Sequence, residues 1–319
     1  MRLVTKDDIV DAANRINGAV LRTTLVPTTL RGRQLWLKPE NLQAIGAFKV
    51  RGATNVLAGL TESDRACGVV AYSSGNHAQA VAHAARAAGV PALIVIDDTA
   101  PAIKIAATRA LGAEVVTVPL DKRAAVAHDI AAERGATLIP PFDHPGVIAG
   151  QGTIGLEILA DLPNADVVLV PVSGGGLASG IGVAIKTLRP ETAVYGVEPE
   201  LAGDAAASLA AGHLVHWPVA ERVKTIADGL RAEPSELTFA HLTKVLDGIL
   251  TVSEQEIRTT VGLIARGARL VAEPAGAVAT AAALFRADQL PRGHTVAVVS
   301  GGNIDPGLLA EILTEASDD

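Results

Sequence analysis

Cysteine is almost missing. Cys67 is the only one in 319 residues, so no internal disulfide can form, and a lone thiol makes neither a cysteine-type zinc site nor a redox pair. A reducing cytoplasm is the compartment this suits. Positive charge is also scarce: 27 Lys plus Arg stand against 34 Asp plus Glu, a net charge of −7. That balance argues against gripping a phosphate backbone, so nucleic acid is not an expected partner. No stretch reaches the ~18 uninterrupted apolar residues of a membrane span, and the opening MRLVTKDDIV lacks the apolar core of a signal peptide. Internal repeats and low-complexity tracts are missing too, and the abundant alanine reads as helix-forming composition. What is present is 49% hydrophobic and 19% charged residues, a soluble globular composition with length for two ordinary domains and a sizeable core.

Short β-rich runs alternate with Ala-rich helical patterns. GVVAYS precedes a helix from about Asn76, ALIVI one from about Pro101, and AEVVTV one from about Asp121. Such alternation predicts βαβ units and a parallel sheet. A second series follows Pro140: GQGTIGLEILADL as helix, DVVLVPV as a fully buried strand, LASGIGVAIKTL as helix, AVYGVEPE as strand. HTVAVVSGGN is a further strand running into a Gly-rich turn, and the breakers in PPFDHPG put a boundary near Phe142 to Pro145. An early strand around Leu35 to Leu37 and the segment around Lys49 precede the first series. The expected fold is therefore α/β, with two open parallel-sheet domains of three αβα layers. The small domain, 52–144, is inserted in a large domain made of 1–51 and 145–319.

Ligands of open α/β sheets bind beyond the carboxyl ends of the strands, so the turns there carry the functional signal. In VSGGGLASG, Gly174, Gly175 and Gly176 follow a strand and open a helix, letting backbone amides converge on a phosphate at the positive helix end. A dinucleotide fingerprint fits badly, because Ser179 stands where its third small residue belongs and the next glycine, Gly180, comes late; Glu198, about 20 residues on, is the one feature in its favour. No Lys-Ser or Lys-Thr follows, so a P-loop fails as well. YSSGNHAQA crowds Ser73, Ser74, Asn76 and His77 around Gly75 at a strand-to-helix junction; one such residue is a helix cap, whereas four suit a carboxylate. VVSGGNIDP places Ser300 at a strand end, where a turn former is the plain alternative. Lys49 lies beside Phe48 in GAFKVRG, where an ordinary lysine would snorkel its amine to water. A phosphate cup, a carboxylate loop and a lysine beside an aromatic ring make one chemical sense together: a phosphorylated aldehyde held by the lysine.

GAFKVRG, SSGNHAQA, GQGTIGLEI, SGGGL, EPAG and SGGN, in this order over nearly the whole chain, resemble the pyridoxal-phosphate enzymes of the tryptophan synthase β fold type (fold type II), specifically the threonine dehydratase and serine racemase family. The resemblance implies that pyridoxal 5'-phosphate is the cofactor, Lys49 its Schiff-base lysine and general base, and Phe48 a flank of its ring. By the same match Ser73, Ser74, Asn76 and His77 bind the substrate carboxylate, Asn76 also lies near the phenolic oxygen, and Gly174, Gly175, Gly176 and Leu177 form the phosphate cup. Ser173 stands where a fourth glycine often runs, its hydroxyl either adding a hydrogen bond or crowding the cup. Ser300 matches the partner of the pyridine nitrogen, and a neutral hydroxyl there leaves that nitrogen unprotonated.

The racemase branch also has an ion site, and there Glu198, the carbonyl of Ala202 and Asp204 match ligands of a Mg or Ca ion, remote from the ring; oxygen-only ligation suits such cations. The leading expectation is a catabolic ammonia-lyase of L-threonine and L-serine, acting on small molecules as a homodimer. The chain ends at Asp319, just past the SGGN strand and one helix, so no isoleucine-binding effector domain is expected. Serine racemisation is the runner-up, with Ser74 as the proton donor on the opposite face. A third reading uses Arg123, which falls roughly where the racemase branch has an arginine able to reach a second carboxylate, as in 3-hydroxyaspartate; a surface arginine is its plain alternative. A cofactor-binding protein without turnover is the remote alternative.

Overall fold

In chain order the strands are β1 (Val26–Leu30), β2 (Arg33–Pro39), β3 (Val69–Tyr72), β4 (Ala92–Asp97), β5 (Glu114–Val118), β6 (Thr137–Leu138), β7 (Val167–Pro171), β8 (Ala193–Pro199), β9 (Gly248–Val252) and β10 (Thr295–Val299). The computed structural model describes residues 2–100 and 102–315. One sheet has the order β1-β2-β10-β7-β8-β9 and the other β5-β4-β3-β6. The second is parallel throughout. The first departs from the expected all-parallel arrangement at its edge, where β1 and β2 form an antiparallel hairpin. Arg31 and Gly32, both with positive φ, close that hairpin in two residues, the backbone form that matches strand twist.

Both sheets are covered on two faces, which is why their strands read as continuous apolar runs. In the small sheet Val69, Ala71, Ile94 and Ile96 point to one side, against α2 (Lys49–Ala58) and the Ala-rich helix Asn76–Ala88. The alternating Val70, Leu93 and Val95 point to the other, against Ala127 and Ala131 of the helix Arg123–Arg134. In the large sheet Val168, Val170, Val296 and Val298 face the helices Pro145–Asp161 and Gly176–Leu188. Leu169, Val197, Ala297 and Val299 face the helix Pro274–Phe285. The period of two in side-chain direction thus builds three layers twice over.

The late Gly180 has a packing reason rather than a ligand one. A Cβ there would lie 2.3 Å from the carbonyl oxygen of Ile148, so the helix Gly176–Leu188 can lie this close to Pro145–Asp161 only because the residue is glycine. The latter helix starts before the GQG motif because Pro145 occupies its first turn and the His144 ring accepts from the Gly146 amide at 3.0 Å. Among the described residues no helix is long and apolar enough to cross a membrane.

Candidate active site

Lys49 opens α2, and the chain just before it is fastened to the turn after β10. The Phe48 amide donates to the Ser300 carbonyl at 3.0 Å, Gly302 N–H donates to Gly46 O at 2.9 Å, and Ala47 bridges Gly301. The carboxyl end of β10 therefore fixes where the lysine side chain departs. Its Nζ lies 5.0 Å from the Phe48 ring centroid and donates to the Pro141 carbonyl at 2.6 Å. Burial pushes this ammonium down to about 8. A single carbonyl offers little to a charge, so the amine is close to releasing its proton at neutral pH. It has not snorkelled to bulk water.

Pro141 and Phe142 carry the lysine to the glycine turn. The Phe142 ring packs on that turn so closely that a Cβ at Gly174 would lie 2.3 Å from it, and one at Gly176 would meet the Phe142 Cβ at 2.9 Å. Two glycines are thus required by packing as well as by any ligand. Ser173 and Gly175 both have positive φ, 54° and 87°, which folds the turn so that the amides of Gly176 and Leu177 open the next helix without intrahelical acceptors. Ser173 neither crowds this cup nor adds a donor to it. Its hydroxyl faces away, donating to Ala232 O at 3.2 Å and accepting from Ala232 N at 3.1 Å, and so anchors the turn to a neighbouring segment.

The SSGNH loop is shared out among several tasks. The Ser73 hydroxyl accepts from the Gly75 amide at 3.2 Å. Asn76 spans the two halves: its Nδ2 donates to Glu273 at 2.7 Å, and its Oδ1 accepts from Asn303 at 2.7 Å. One Nδ2 proton is left for another acceptor. His77 is buried, with Nε2 against the Ile139 carbonyl at 2.8 Å and Nδ1 without a partner. Burial, reinforced by the nearby Lys49 charge, takes its pKa down to about 3, so the ring is neutral and its free nitrogen can only accept. It cannot donate to a carboxylate; the amides at this helix start can. Ser74 is drawn aside onto Asp97 and Arg123: its hydroxyl donates to Asp97, and Arg123 Nη1 donates to it at 2.7 Å. Arg123, one-quarter exposed, is thus joined to the loop rather than lying free on a helix surface.

Ser300 ends β10 with its hydroxyl only weakly engaged, 3.4 Å from Ala275 O. Glu198 is the penultimate residue of β8, and Asp204 opens a helix after the buried Ala202. Glu198 Oε2 accepts from the Ala206 amide at 2.9 Å, while its Oε1 and both Asp204 oxygens are buried without partners. Burial and the Asp204 charge push Glu198 well up, and burial takes Asp204 up to about 6. The Ser173 amide also faces Glu198, so this pair lies next to the start of the glycine turn.

Sequence reasoning missed Asp97, Glu273, Asn303 and the Pro141–Phe142 bridge. Asp97 ends β4, whose turn carried no assigned role, and Glu273 sits in the EPAG motif, likewise without one. Burial, with the Asp228 charge, raises Glu273 to about 8, so it meets Asn76 with a proton close to release.

The residues present fit pyridoxal phosphate: an amine near neutrality for its aldehyde, amides at a helix start for its phosphate, a weakly engaged hydroxyl for its ring nitrogen, and an aromatic flank. Residues 16–301 match the family described as pyridoxal-phosphate dependent enzyme. An L-threonine ammonia-lyase of Thermotoga maritima is 45% identical over 98% of this chain and 79% of its own length. An L-threo-3-hydroxyaspartate ammonia-lyase of Saccharomyces cerevisiae is 40% identical over 100% and 99%. The structure of maize serine racemase superposes with a TM-score of 0.92 at 36% identity, covering 97% of both chains. Family match, relatives and fold agree with the lysine that the turn after β10 holds in place, and the chain belongs to the pyridoxal-phosphate-dependent enzymes.

Proposed function

We propose that this enzyme is an ammonia-lyase converting L-threonine and L-serine to the 2-oxo acid and ammonia. The observation that carries the reading is Lys49, a half-buried lysine with one carbonyl partner and a pKa of about 8 between the glycine turn and the SSGNH loop. When bound, pyridoxal phosphate supplies an electron sink for the bond broken at the substrate α-carbon. The protein does the rest. Gly174, Gly175, Gly176 and Leu177 would hold the phosphate, Phe48 would flank the ring, and Ser300 would offer the ring nitrogen a neutral hydroxyl. The amides at the start of the SSGNH helix, with Ser73 and Asn76, orient the substrate carboxylate. Lys49, uncharged when its proton is away, takes the α-proton, and the β-hydroxyl leaves as water. The released enamine takes up water and loses ammonia.

A divalent cation, Mg or Ca, belongs to the same proposal, held by Glu198, Asp204 and the Ala202 carbonyl. Three buried, unpartnered carboxylate oxygens support it. Among the described residues no cluster of three or more His, Cys, Asp or Glu side chains gathers, so backbone oxygens and water complete the shell. The division into domains of 1–51 with 145–319 and 52–144 is supported by the two separate sheets. A homodimer is supported by the family resemblance, and a cytoplasmic location by the single, exposed Cys67.

The deciding experiment assays L-threonine, L-serine, D-serine and the 3-hydroxyaspartates for 2-oxo acid and for the opposite enantiomer. Elimination from L-threonine and L-serine is the expected main activity. D-serine as the main product would establish the racemase instead, and turnover confined to a 3-hydroxyaspartate would establish that third reading.

A further inference from the structure

Asp97 stands at the carboxyl end of β4, next to the β3 end from which the SSGNH loop departs, with Tyr72 of β3 paired to Val95 of β4. It is buried, and one of its two carboxylate oxygens serves the loop. Oδ2 accepts from the Ser74 hydroxyl and, at 3.1 Å, from Arg123 Nη1; Oδ1 accepts from the Thr99 hydroxyl at 2.6 Å. Burial favours the neutral acid here, but the hydrogen bonds from Ser74 and Thr99 and the Arg123 charge outweigh it and hold the carboxyl below its ordinary range. Asp97 is therefore charged throughout the physiological range, and the Arg123 charge beside the loop is already balanced.

We infer that Asp97 is a specificity-determining residue: it is the site's own carboxylate for Arg123, and by neutralising that guanidinium it reserves the loop for amino acids with an uncharged β-substituent. The inference rests on the reading of the site as an ammonia-lyase centre and assigns the residue that sets its substrate class. Its basis is charge rather than donor number. Arg123 keeps Nε and Nη2, yet a second substrate carboxylate reaching them comes within a few ångströms of Asp97, and like charges so placed are a repulsive element that selects against the wrong ligand. Ser74 serves the same arrangement: bridging Arg123 and Asp97, it holds the pair against the loop.

The test compares wild-type holoenzyme with Asp97→Asn, which keeps the shape and an acceptor for Ser74 but removes the charge. The ratio of kcat/KM for L-threo-3-hydroxyaspartate over L-threonine is expected to rise about 10- to 100-fold. A purely structural role would move both substrates together. Adding Arg123→Met to Asp97→Asn should erase the gain, since the freed guanidinium is what receives the second carboxylate. A binding readout runs beside it, the inhibition constant of L-aspartate relative to L-alanine, which should fall by a similar factor. Asp97→Ser repeats both readings should the Asn variant fail to fold. Ratios within about 2-fold of wild type in a folded, cofactor-loaded variant, or a gain that survives removal of Arg123, would overturn the inference. Wild-type protein that forms no 2-oxo acid from L-threonine or L-serine would overturn the ammonia-lyase reading instead, and the aspartate-to-alanine ratio would still decide on Asp97.

Discussion

Two groups of buried charges lie within this fold, and they are satisfied in opposite ways. Beneath α2, Arg51 is fully buried, with Nε and Nη2 on Glu40 at 2.7 and 2.8 Å and Nη1 and Nη2 on Glu157 at 2.7 and 2.9 Å. Lys38, also fully buried, meets Glu157 and the Thr23 carbonyl, and Thr23 donates to Glu40 at 2.6 Å. Two cations balance two carboxylates. Burial alone would raise Glu40, but the Arg51 charge and hydrogen bonds, the Lys38 charge and the Thr23 hydrogen bond together outweigh it and keep this carboxylate ionised. Lys49, only two residues before Arg51, has one carbonyl, and Glu198 and Asp204 have no counter-charge between them and three idle oxygens. Taking charges out of water yields rigid scaffolding where they are paired and reactive or ligand-seeking groups where they are not.

Removing the lysine breaks the contrast most severely. Lys49→Ala should lower turnover by about 10²- to 10⁴-fold, the range for loss of a positioned general base, and remove the absorbance near 410 nm of the lysine-bound cofactor. Arg51 and Lys38 cannot substitute, being held by Glu40 and Glu157; appreciable 2-oxo acid from the variant would sink the assignment. Next comes the paired cluster. Arg51→Met leaves Glu40 and Glu157 without their main counter-charge and should cost about 3 to 5 kcal/mol of stability in a denaturant titration. A loss under ~1 kcal/mol would show that the pairing is not what holds α2.

The unpaired carboxylates give a pH-dependent test. Asp204, raised from 3.8 to about 6, binds more protons folded than unfolded across that window, so without a cation this group's contribution falls as pH rises from about 4 to 6 and stays unfavourable above. A bound cation offsets the penalty, so the stability difference between Mg- or Ca-loaded and chelator-treated protein, followed as a difference in Tm, should widen from pH 5 to pH 7, by on the order of 3 kcal/mol at most. A chelator without effect at either pH removes the cation from the proposal. For Lys49 itself, the rate at which apo-protein captures pyridoxal phosphate should rise about 5-fold between pH 7 and 8, as an amine of pKa about 8 loses its proton, and a flat profile would contradict the burial argument. The smallest effect is expected at Ser173→Gly. Two hydrogen bonds to Ala232 are lost while a φ of 54° becomes unstrained, and terms of ~1 kcal/mol each should nearly cancel.

Much of the site was legible because its parts are local in the chain. GAFKVRG, SSGNHAQA, SGGGL and SGGN each keep their chemistry within a few residues of a strand end or a helix start, so type and spacing suffice to mark them. Contacts between segments far apart are a different matter. Asp97 reads as one of two aspartates in a turn until Ser74 and Arg123 converge on it, and Glu273 reads as a residue before a helix until Asn76 crosses 197 positions to meet it. The hairpin edge of the large sheet was equally hidden, since antiparallel pairing of β1 with β2 depends on two positive-φ residues, Arg31 and Gly32, and arginine seldom signals such a turn.

By itself the sequence determined the two three-layer α/β sheets, through the alternation of buried apolar runs with Ala-rich helices, and the family, through its ordered motifs. It also marked Lys49 as the residue to watch. Only the tertiary structure decided what state those residues are in. Lys49 has a pKa of about 8 because burial leaves its ammonium a single carbonyl, His77 is neutral because burial and Lys49 disfavour its charge, and Arg123 is balanced because β4 ends beside the loop with an aspartate. Protonation and pairing depend on distance and desolvation, which are set by the approach of segments remote in the chain.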